Sequence, residues 1–307
     1  MSSGEQYKNS RIINWKGYNQ ALVDRGSITF WFPEDIGNTW FFRGEKTGRG
    51  NFKTYSDMAI QTCLMLKAVF NLRLRSLEGF VNSIFRLMKI PLTSPDCSAF
   101  SKRGKTLQAE IPRRLPDGPA DIVFDSAGLK IYGEGERKVR KRGVGKRRTW
   151  RKLHLAATPA NWDYVAVDLT AENVGDGEIL PELFNQLEEQ EIGRCYGDGA
   201  YDTRADYDAI NSRGGEAVIP PRDNAAYWEA GRPRNLAVAE CRKTDRKTWK
   251  INIGYHFRSL AETAVYRFKR LIGSCLSARL PENQGTEAYV GVAIINRMNT
   301  LGMPQRA

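Results

Sequence analysis

The strongest constraint on the fold is the order in which apolar and amphipathic segments follow one another after residue 120. Three apolar runs with strand-like composition come first, and a helix, a strand, a second helix, a strand and a final helix are predicted after them. In chain order these segments are residues 122–125, 153–157, 164–169, 179–187, 192–196, 202–213, 217–219 and 255–272. The order predicts an α/β domain in which helices cover a mixed sheet.

A linker rich in proline and glycine, residues 112–119, divides the chain into two predicted regions. Residues 1–115 are predicted to be a mainly helical N-terminal region. Residues 120–307 are predicted to be the α/β domain, with a polar and irregular insertion near 222–250. Three consecutive strands followed by alternating helices and strands is the order of an RNase H-like domain, and this is the fold that we predict for the second region.

The last helix of the N-terminal region carries basic residues. Ser94 has the position of an N-cap and Pro95 that of a first helical residue, so a short helix with Lys102 and Arg103 is expected to follow. Together with the preceding amphipathic helix, residues 76–107 resemble a helix-turn-helix, in which both cations would contact DNA. An ordinary helical bundle is the alternative.

The positive charge of the chain is concentrated in one segment. The formal net charge is +12, and residues 137–152, RKVRKRGVGKRRTWRK, hold ten Lys or Arg and no acid. Such a run favours a polyanionic partner, because cations that neutralise phosphates release counterions. A solvated hairpin tip that makes no such contact is the alternative. The residues expected to contact DNA in this run are Arg137, Lys138, Arg140, Lys141, Arg142, Lys146, Arg147, Arg148 and Arg151.

Composition argues against several classes of protein. The five cysteines include no C-x-x-C pair and are odd in number, which argues against a disulfide framework and against a zinc cluster. The two histidines are too few for a histidine-rich metal site. The first residues lack the apolar core of a signal peptide, and no run reaches the roughly 18 apolar residues of a membrane span. We therefore expect a cytoplasmic protein in a reducing compartment, without a membrane partner.

Three carboxylates are candidates for one site. Asp125 ends the first predicted strand, and Asp198 ends the fourth. Functional groups of open α/β sheets gather at strand ends, so the two acids meet if their strands are neighbours. Glu262, on the late helix, would supply a third carboxylate. Three clustered carboxylates repel one another unless cations lie between them, and two Mg²⁺ ions about 3.5–4 Å apart would activate water for an in-line displacement.

Each of these acids also has a structural interpretation. Asp198 is followed by glycine, and Asp-Gly is a common turn. Asp125 would end its strand for local reasons, and Glu262 would pair with Arg258 at i,i+4 as a surface salt bridge. Asp202 resembles an N-cap of the following helix. The competing carboxylates are Asp121, Glu134 and Asp202. The prediction of a catalytic site therefore depends on the joint placement of the three acids.

The predicted helix at 255–272 separates polar from apolar residues. At about 100° per residue, its polar stripe is roughly 60° wide, and apolar residues cover the opposite side. The stripe consists of Tyr255, Arg258, Glu262 and Lys269. A carboxylate binds divalent metal ions and flanking cations bind phosphates, so the helix predicts phosphodiester chemistry.

The four polar residues of this helix have the spacing Y-x2-R-x3-E-x6-K, which is the signature of bacterial insertion-sequence DDE transposases. The chain resembles this family over nearly its whole length. The strings IVFDSAGLKIYGEGE, YGDGAYDTR and YHFRSLAETAVYRFKRLIG resemble those of the insertion-sequence-five family, and in particular its nine-zero-three-type branch. The resemblance implies an RNase H-like core with a DDE triad, formed here by Asp125, Asp198 and Glu262.

The resemblance also implies an activity and its partners. The triad would bind Mg²⁺, for which Mn²⁺ would substitute, and would catalyse end cleavage and strand transfer. The residues that would contact DNA phosphates near the cleaved end are Tyr255, Arg258 and Lys269. The N-terminal region would bind the terminal inverted repeats, and a homodimer or a larger assembly would join two ends to target DNA on a bacterial nucleoid. A non-catalytic DNA-binding regulator and an RNase H-fold nuclease are the alternatives.

Overall fold

One long strand, β1, occupies the middle of the sheet, because it pairs with a neighbour on each side. The computed structural model describes residues 11–45, 54–131, 150–187 and 190–305. In these ranges the strands are β1 (Ala120–Ile131), β2 (Trp150–Ala157), β3 (Tyr164–Ala171), β4 (Ile192–Tyr196), β5 (Glu216–Val218) and β6 (Cys275–Leu276). Their order along the sheet is β3-β2-β1-β4-β5, and the short β6 also pairs with β1.

The direction of the strands changes at β1. Strands β1, β2 and β3 pair antiparallel, whereas β4 and β5 continue the sheet in parallel. Parallel neighbours need a crossover connection, and the described helices between β3, β4 and β5 supply it. Three antiparallel strands followed by parallel strands with intervening helices confirm the predicted RNase H-like arrangement with a mixed sheet.

Helices precede and accompany the sheet. In the first part of the described chain they are α1 (Trp15–Asp24), α2 (Ile28–Trp31), α3 (Ile36–Thr39), α4 (Asp57–Val69), α5 (Leu74–Leu87) and α6 (Cys97–Arg103). The later helices are α7 (Leu180–Asn185), α8 (Arg204–Ser212), α9 (Arg234–Lys243), α10 (Arg246–Asn252), α11 (Ser259–Leu271) and α12 (Pro281–Leu301). Short 3₁₀ turns lie at Gly177–Ile179, Gly199–Tyr201 and Tyr255–Arg258. In the ranges described, every helix is too short or too polar to span a bilayer.

The two faces of the sheet pack against different helices. One face packs against α7 and α8 in a core that includes Phe124 of β1, Phe184 and Ile210. The other face packs against α11, and the buried Tyr164 hydroxyl donates to the carbonyl of Ala264 on this helix at 2.7 Å. Successive side chains of a strand point to opposite faces, so the neighbours of Phe124 along β1 point towards α11.

The chain divides into two compact units, residues 1–112 with 293–307 and residues 113–292. In the first unit, α5 and α6 flank an extended connection at residues 88–96. This connection is longer than the three or four residues of a helix-turn-helix turn. DNA binding by a helix-turn-helix at 76–107 therefore stays a prediction that this connection does not support.

Two helix starts differ from the prediction. The N-cap of α6 is Asp96, which accepts from the amides of Ser98 and Ala99 at 2.7 and 2.8 Å, whereas Ser94 was predicted. The N-cap of α8 is Thr203, whose side chain accepts from the amide of Asp206, whereas Asp202 was expected there. In both cases the helix begins at a nearby residue that also has a side chain suited to an N-cap.

Three further expectations for the second unit were wrong. The segment 222–250 is not irregular, because it contains α9 and most of α10. Strand β1 does not end at Asp125 but continues to Ile131. The last predicted helix does not begin as an α-helix at residue 255, because Tyr255–Arg258 forms a 3₁₀ turn before α11.

Candidate active site

Strand pairing brings two aspartates side by side. In the parallel pair of β1 and β4, Val123 lies opposite Tyr196. Asp125 and Asp198 each follow two residues later, so equal rises along parallel strands place them next to each other. Asp125 points away from the core around Phe124 and towards α11. The two acids therefore lie close together, as the predicted site requires. Asp125, however, lies within a strand and not at its end.

Local hydrogen bonds hold both aspartates. One oxygen of Asp125, Oδ1, accepts from the amide of Ser126 at 2.9 Å. Asp198 precedes a 3₁₀ turn, and its Oδ1 accepts from the amide of Ala200 at 2.8 Å. The turn interpretation of Asp198 is therefore correct as well, but it leaves Oδ2 available for another partner. A side chain that caps a turn with one oxygen is held in a fixed orientation.

The guanidinium group of Arg258 contacts all three predicted catalytic acids. Its Nη2 lies 3.3 Å from Oδ1 of Asp125 and 3.5 Å from Oδ2 of Asp198. Its Nη1 donates to Oε1 of Glu262 at 2.5 Å, one helical turn further on. The pair with Glu262, the structural alternative for this acid, is therefore present, and the same cation also reaches Asp125 and Asp198, so the catalytic role of Glu262 stays a prediction.

The acids become more exposed from the sheet towards the helix. The exposed fraction of the side chain is 18% for Asp125, 44% for Asp198 and 71% for Glu262, whereas Arg258 is 11% exposed. Burial raises the pKa of Asp125, the Arg258 charge and the Ser126 amide oppose this rise, and the neighbouring Asp198 and Glu262 charges add to it. The site is therefore a carboxylate cluster, open on the side of Glu262, in which one cation compensates the repulsion.

The donor set suits a hard divalent cation. Carboxylate oxygens are the ligands that Mg²⁺ and Mn²⁺ prefer, and all three acids already surround one positive charge. In the conformation described, the guanidinium lies among them, and no group of three or more acidic, histidine or cysteine side chains in the described ranges is arranged to hold a metal ion directly. The three carboxylates are therefore chemically suited to bind such an ion. In the conformation described, the Arg258 guanidinium provides the compensating positive charge.

Tyr255 is fixed beside the second aspartate. Its hydroxyl donates to the carbonyl of Gly197 at 3.1 Å, and its ring lies 6.3 Å from that of the buried Trp249. Burial raises the pKa of Tyr255 to about 12. The phenol therefore stays protonated near neutral pH and serves as a hydrogen-bond donor to Gly197.

The other predicted DNA contacts have different surroundings. Lys269 is half-buried near the end of α11 and forms no ion pair in the part of the chain that the structure describes. Lys102 is exposed. Arg103 donates to the carbonyl of Tyr55 at 2.8 Å and pairs with Asp57, so its guanidinium has partners within the first unit.

Most of the basic run is outside the described residues. The cations concerned are Arg137, Lys138, Arg140, Lys141, Arg142, Lys146, Arg147 and Arg148, and the competing acid Glu134 is outside them too. Of the cations predicted to contact DNA in this run, Arg151 is described. It lies on β2, and its Nε donates to Oε1 of Gln284 at 3.0 Å. DNA contact by this run stays a prediction.

A buried ion pair next to the site was not predicted from the sequence. Arg234 of α9 donates from Nε and Nη2 to the two oxygens of Asp202 at 2.5 and 2.7 Å. Both side chains are almost fully buried, with exposed fractions of 4% and 1%. The bidentate pair ties the insertion to the turn that follows Asp198. The local sequence around Asp202, Ala-Tyr-Asp-Thr, gave no signal of a partner 32 residues away.

A buried histidine lies on β2. The Nε2 of His154 is 2.9 Å from Oγ1 of Thr170, and its Nδ1 is 3.7 Å from Oδ1 of Asp176. Burial lowers the pKa of His154 to about 4, although the charge of Asp176 opposes this effect. The imidazole is therefore neutral in the folded protein near pH 7.

This histidine makes stability depend on pH. Its pKa is lower in the folded chain than the unperturbed value of about 6.5, so its contribution is complete above pH ~6.5 and is lost as pH falls towards 4. We expect the Tm of His154→Asn to fall less than that of the wild type between pH 7 and 5. Burial also raises the pKa of Asp206 to about 6, so this residue adds its own pH dependence of stability. That contribution is the same in the wild type and in His154→Asn and does not affect the comparison. Equal losses of Tm in the two proteins would contradict a role of His154.

The sheet and its three acids define a class of enzyme. An RNase H-like sheet with one aspartate on a central strand, a second in the turn after the neighbouring strand and a glutamate on a later helix is the arrangement of enzymes that act on phosphodiester bonds. Comparison with family models gives the particular family. Residues 116–296 match a model described as a transposase DDE domain, and residues 23–134 match a second model with the same description. The first match covers more than half of the chain, so the chain belongs to the DDE transposase family.

Solved transposase complexes are similar to this chain only distantly. The Mos1 strand transfer complex has 9% sequence identity and a TM-score of 0.23, with 75% of this chain and 80% of that chain covered. The Mos1 mariner paired end complex with Mn has 8% identity and a TM-score of 0.23, covering 83% of this chain and 88% of the other. At these values the likeness adds nothing to the family assignment, which rests on the family models.

Proposed function

We propose that the chain is the transposase of a bacterial insertion sequence similar to the insertion-sequence-five family and its nine-zero-three-type branch. It would bind the terminal inverted repeats of its element, cleave the DNA at the ends and join them to target DNA. The observation that carries this proposal is the contact of one guanidinium with three carboxylates from β1, the turn after β4 and α11. Membership in the DDE transposase family supports the reaction.

Members of this family use divalent metal ions. In this chain Asp125, Asp198 and Glu262 would hold them, and we propose Mg²⁺ as the ion, with Mn²⁺ as a substitute. Bound ions would neutralise the charge that develops on the phosphate during in-line displacement. The backbone amides of Ser126 and Ala200 would hold one oxygen of each aspartate in place, so that the second oxygen of each would face the ions.

Arg258 would have two positions in this scheme. Before metal binding it compensates the three carboxylates, and its Nε has no hydrogen-bond partner among the described residues. When metal ions take over the compensation, the guanidinium would be released and would bind a DNA phosphate as a planar fork. Tyr255 would keep the backbone before Asp198 in place through its bond to Gly197, and Lys269 would add a phosphate contact from the same helix.

Removal of the Arg258 charge should increase the affinity for metal. An opposite charge at this distance shifts a carboxylate pKa by about 1–3 units, so we expect Arg258→Gln to bind Mn²⁺ at least about tenfold more tightly than the wild type. Titration of the full chain with Mn²⁺, followed by electron paramagnetic resonance, measures this affinity. Arg204→Gln is the matched control, because it breaks an exposed Arg–Glu pair with Glu229. An unchanged affinity in Arg258→Gln would contradict competition between guanidinium and metal.

The same proposal includes the roles of the two regions of the chain and its oligomeric assembly. We propose that residues 1–115 bind the inverted repeats, that residues 120–307 carry out catalysis, and that the cations of 137–152 contact flanking or target DNA. Two ends must be joined in one reaction, so the active assembly would contain at least two copies of the chain. Nucleoid association in a bacterial cytoplasm would follow from DNA binding.

Strand transfer distinguishes a transposase from a nuclease of the same fold. The chain is incubated with Mg²⁺, a pre-cleaved duplex end and a supercoiled plasmid, and joined products are separated on a gel. We expect the duplex to be covalently attached to the plasmid. Cleavage without joined product would favour the nuclease, and DNA binding without either product would favour a non-catalytic regulator.

A further inference from the structure

A second group of basic residues lies beside the active site and has no role in the scheme above. Helix α10 carries Arg246 and Lys250 one turn apart, and the fully buried Trp249 anchors the helix. The Nζ of Lys250 lies 4.9 Å from the centre of the Tyr255 ring. Arg246 lies near Gly199, since its Nη2 would be 3.8 Å from a Cβ added to that glycine. The two cations therefore flank the turn that begins with Asp198.

The charge of this group is poorly compensated within the described chain. Arg246 pairs with Asp223, but that carboxylate is 85% exposed, and Nε of Arg246 is buried with no hydrogen-bond partner in the described ranges. Lys250 forms no ion pair among the same residues and lies over the Tyr255 ring, and the charge of Asp223 acts on it from further away. Burial lowers the pKa of Lys250, the like charges of Arg246 and Arg258 lower it further, and the charge of Asp223 opposes this decrease. Binding of an anion between cations that are held together at this cost is favourable, because the anion removes their mutual repulsion.

We propose that Arg246 and Lys250, with the Tyr255 ring beneath Lys250, form a binding site for a backbone phosphate of the DNA strand that enters the carboxylate cluster. An ammonium on a flexible stem and a guanidinium fork are both suited to phosphate oxygens. The neighbouring carboxylates repel an anion unless cations lie between the carboxylates and the anion. Arg246 and Lys250 have such a position, because they lie at the rim of the carboxylate cluster on the side of Asp198. The site deepens the proposed function and rests on that part of it by which the chain binds DNA, because the anion is a DNA phosphate.

Salt dependence of DNA binding tests the site. Fluorescence anisotropy with a labelled 30-base-pair duplex between ~50 and ~200 mM KCl gives the slope of log K against log salt, and one lost phosphate contact lowers its magnitude by about 0.9. We expect this decrease for the double variant Arg246→Gln/Lys250→Gln. Lys250→Arg keeps the charge and should keep the wild-type slope. Lys243→Gln removes one charge from the end of the neighbouring α9 and should also leave the slope unchanged.

A second probe locates the contact. The same duplex is made with a pre-cleaved 3′-hydroxyl end and a neutral methylphosphonate at one of the three linkages nearest to this end. We expect that one of these linkages weakens binding by the wild type but not by the double variant. An unchanged slope in the double variant, or equal sensitivity of both proteins at all three linkages, would overturn the proposal. If the wild type binds this DNA but never cleaves or joins it, the proposed function fails while the phosphate site stands.

Discussion

Replacement of Glu262 by glutamine should slow DNA cleavage by about a thousandfold or more, because ion-assisted charge stabilisation supplies several kcal/mol and ~1.4 kcal/mol is a factor of ten. Glutamine keeps the size of the side chain and removes the charge that Arg258 now compensates. Cleavage is measured on a plasmid that carries the DNA flanking the gene of this chain, where the proposed inverted repeats would lie. Asp125→Asn and Asp198→Asn should have effects of the same order, since we propose that the three acids act as one unit.

Glu229→Gln is the matched control for this series. Glu229 is exposed to a similar degree as Glu262 and also pairs with an arginine, Arg204, but it lies outside the carboxylate cluster. Its replacement should leave the cleavage rate within about twofold of the wild type, as surface ion pairs contribute little. Cleavage by Glu262→Gln at the wild-type rate would show that the acid is structural, and the surface salt bridge with Arg258 would be its whole role.

The buried pair of Arg234 and Asp202 should dominate the effect of mutations on stability. Arg234→Met leaves the Asp202 carboxylate, which is 1% exposed, without a counter-charge, and breaking such a pair costs about 3–5 kcal/mol. The substitution also removes the bond from Nη1 to the carbonyl of Ala226 at 2.8 Å and the stacking on Trp228 at 4.1 Å. In thermal unfolding of the full chain we expect the Tm to fall by on the order of 10 °C.

Two comparisons separate charge burial from other effects. Arg234→Met/Asp202→Asn removes both charges and should recover part of the lost Tm, because no uncompensated carboxylate remains. Arg232→Met breaks the pair of Arg232 with the half-exposed Asp208 and should change the Tm by no more than a few degrees. If Arg234→Met and Arg232→Met have equal effects, the Arg234 pair does not hold the insertion to the sheet.

The pattern of apolar residues predicts the position of a strand and the order of the elements well. The predicted strand at 192–196 agrees with β4, and the order of elements correctly indicates the mixed sheet. Strand β1 was predicted too short, because Asp125, Ser126 and Gly128 resemble a turn. Those residues stay extended because β2 pairs with this half of the strand from Val123 to Lys130, and such long-range pairing is not encoded locally.

The helices of the insertion could not be predicted from periodicity. Helix α9 has the sequence RNLAVAECRK and buries only Arg234 and Val238, so its apolar stripe is too narrow to recognise. Its first residue is fixed by the ion pair to Asp202, a tertiary contact. Polar segments whose helices depend on such contacts look irregular in a sequence, which explains the wrong expectation for 222–250.

The chemistry of the site was easier to predict than its geometry. The spacing of Arg258 and Glu262 by four residues predicts their mutual contact on a helix. The contacts of Arg258 with Asp125 and Asp198 depend on how α11 packs on the sheet. The distance between these side chains cannot be predicted from a local sequence pattern. The sequence therefore predicted a carboxylate triad with a phosphate-binding arginine, but not that this arginine lies among the carboxylates.

Binding of Mn²⁺ to the double variant Asp125→Asn/Asp198→Asn is the most direct test of the metal-dependent carboxylate site. The full chain and the variant are titrated with Mn²⁺ in the presence of a pre-cleaved duplex end, and free Mn²⁺ is followed by electron paramagnetic resonance. We expect the wild type to bind Mn²⁺ and the variant to lose this binding, while both proteins still bind the duplex. Mn²⁺ binding of undiminished affinity in the variant would place the metal elsewhere and would contradict catalysis at Asp125, Asp198 and Glu262.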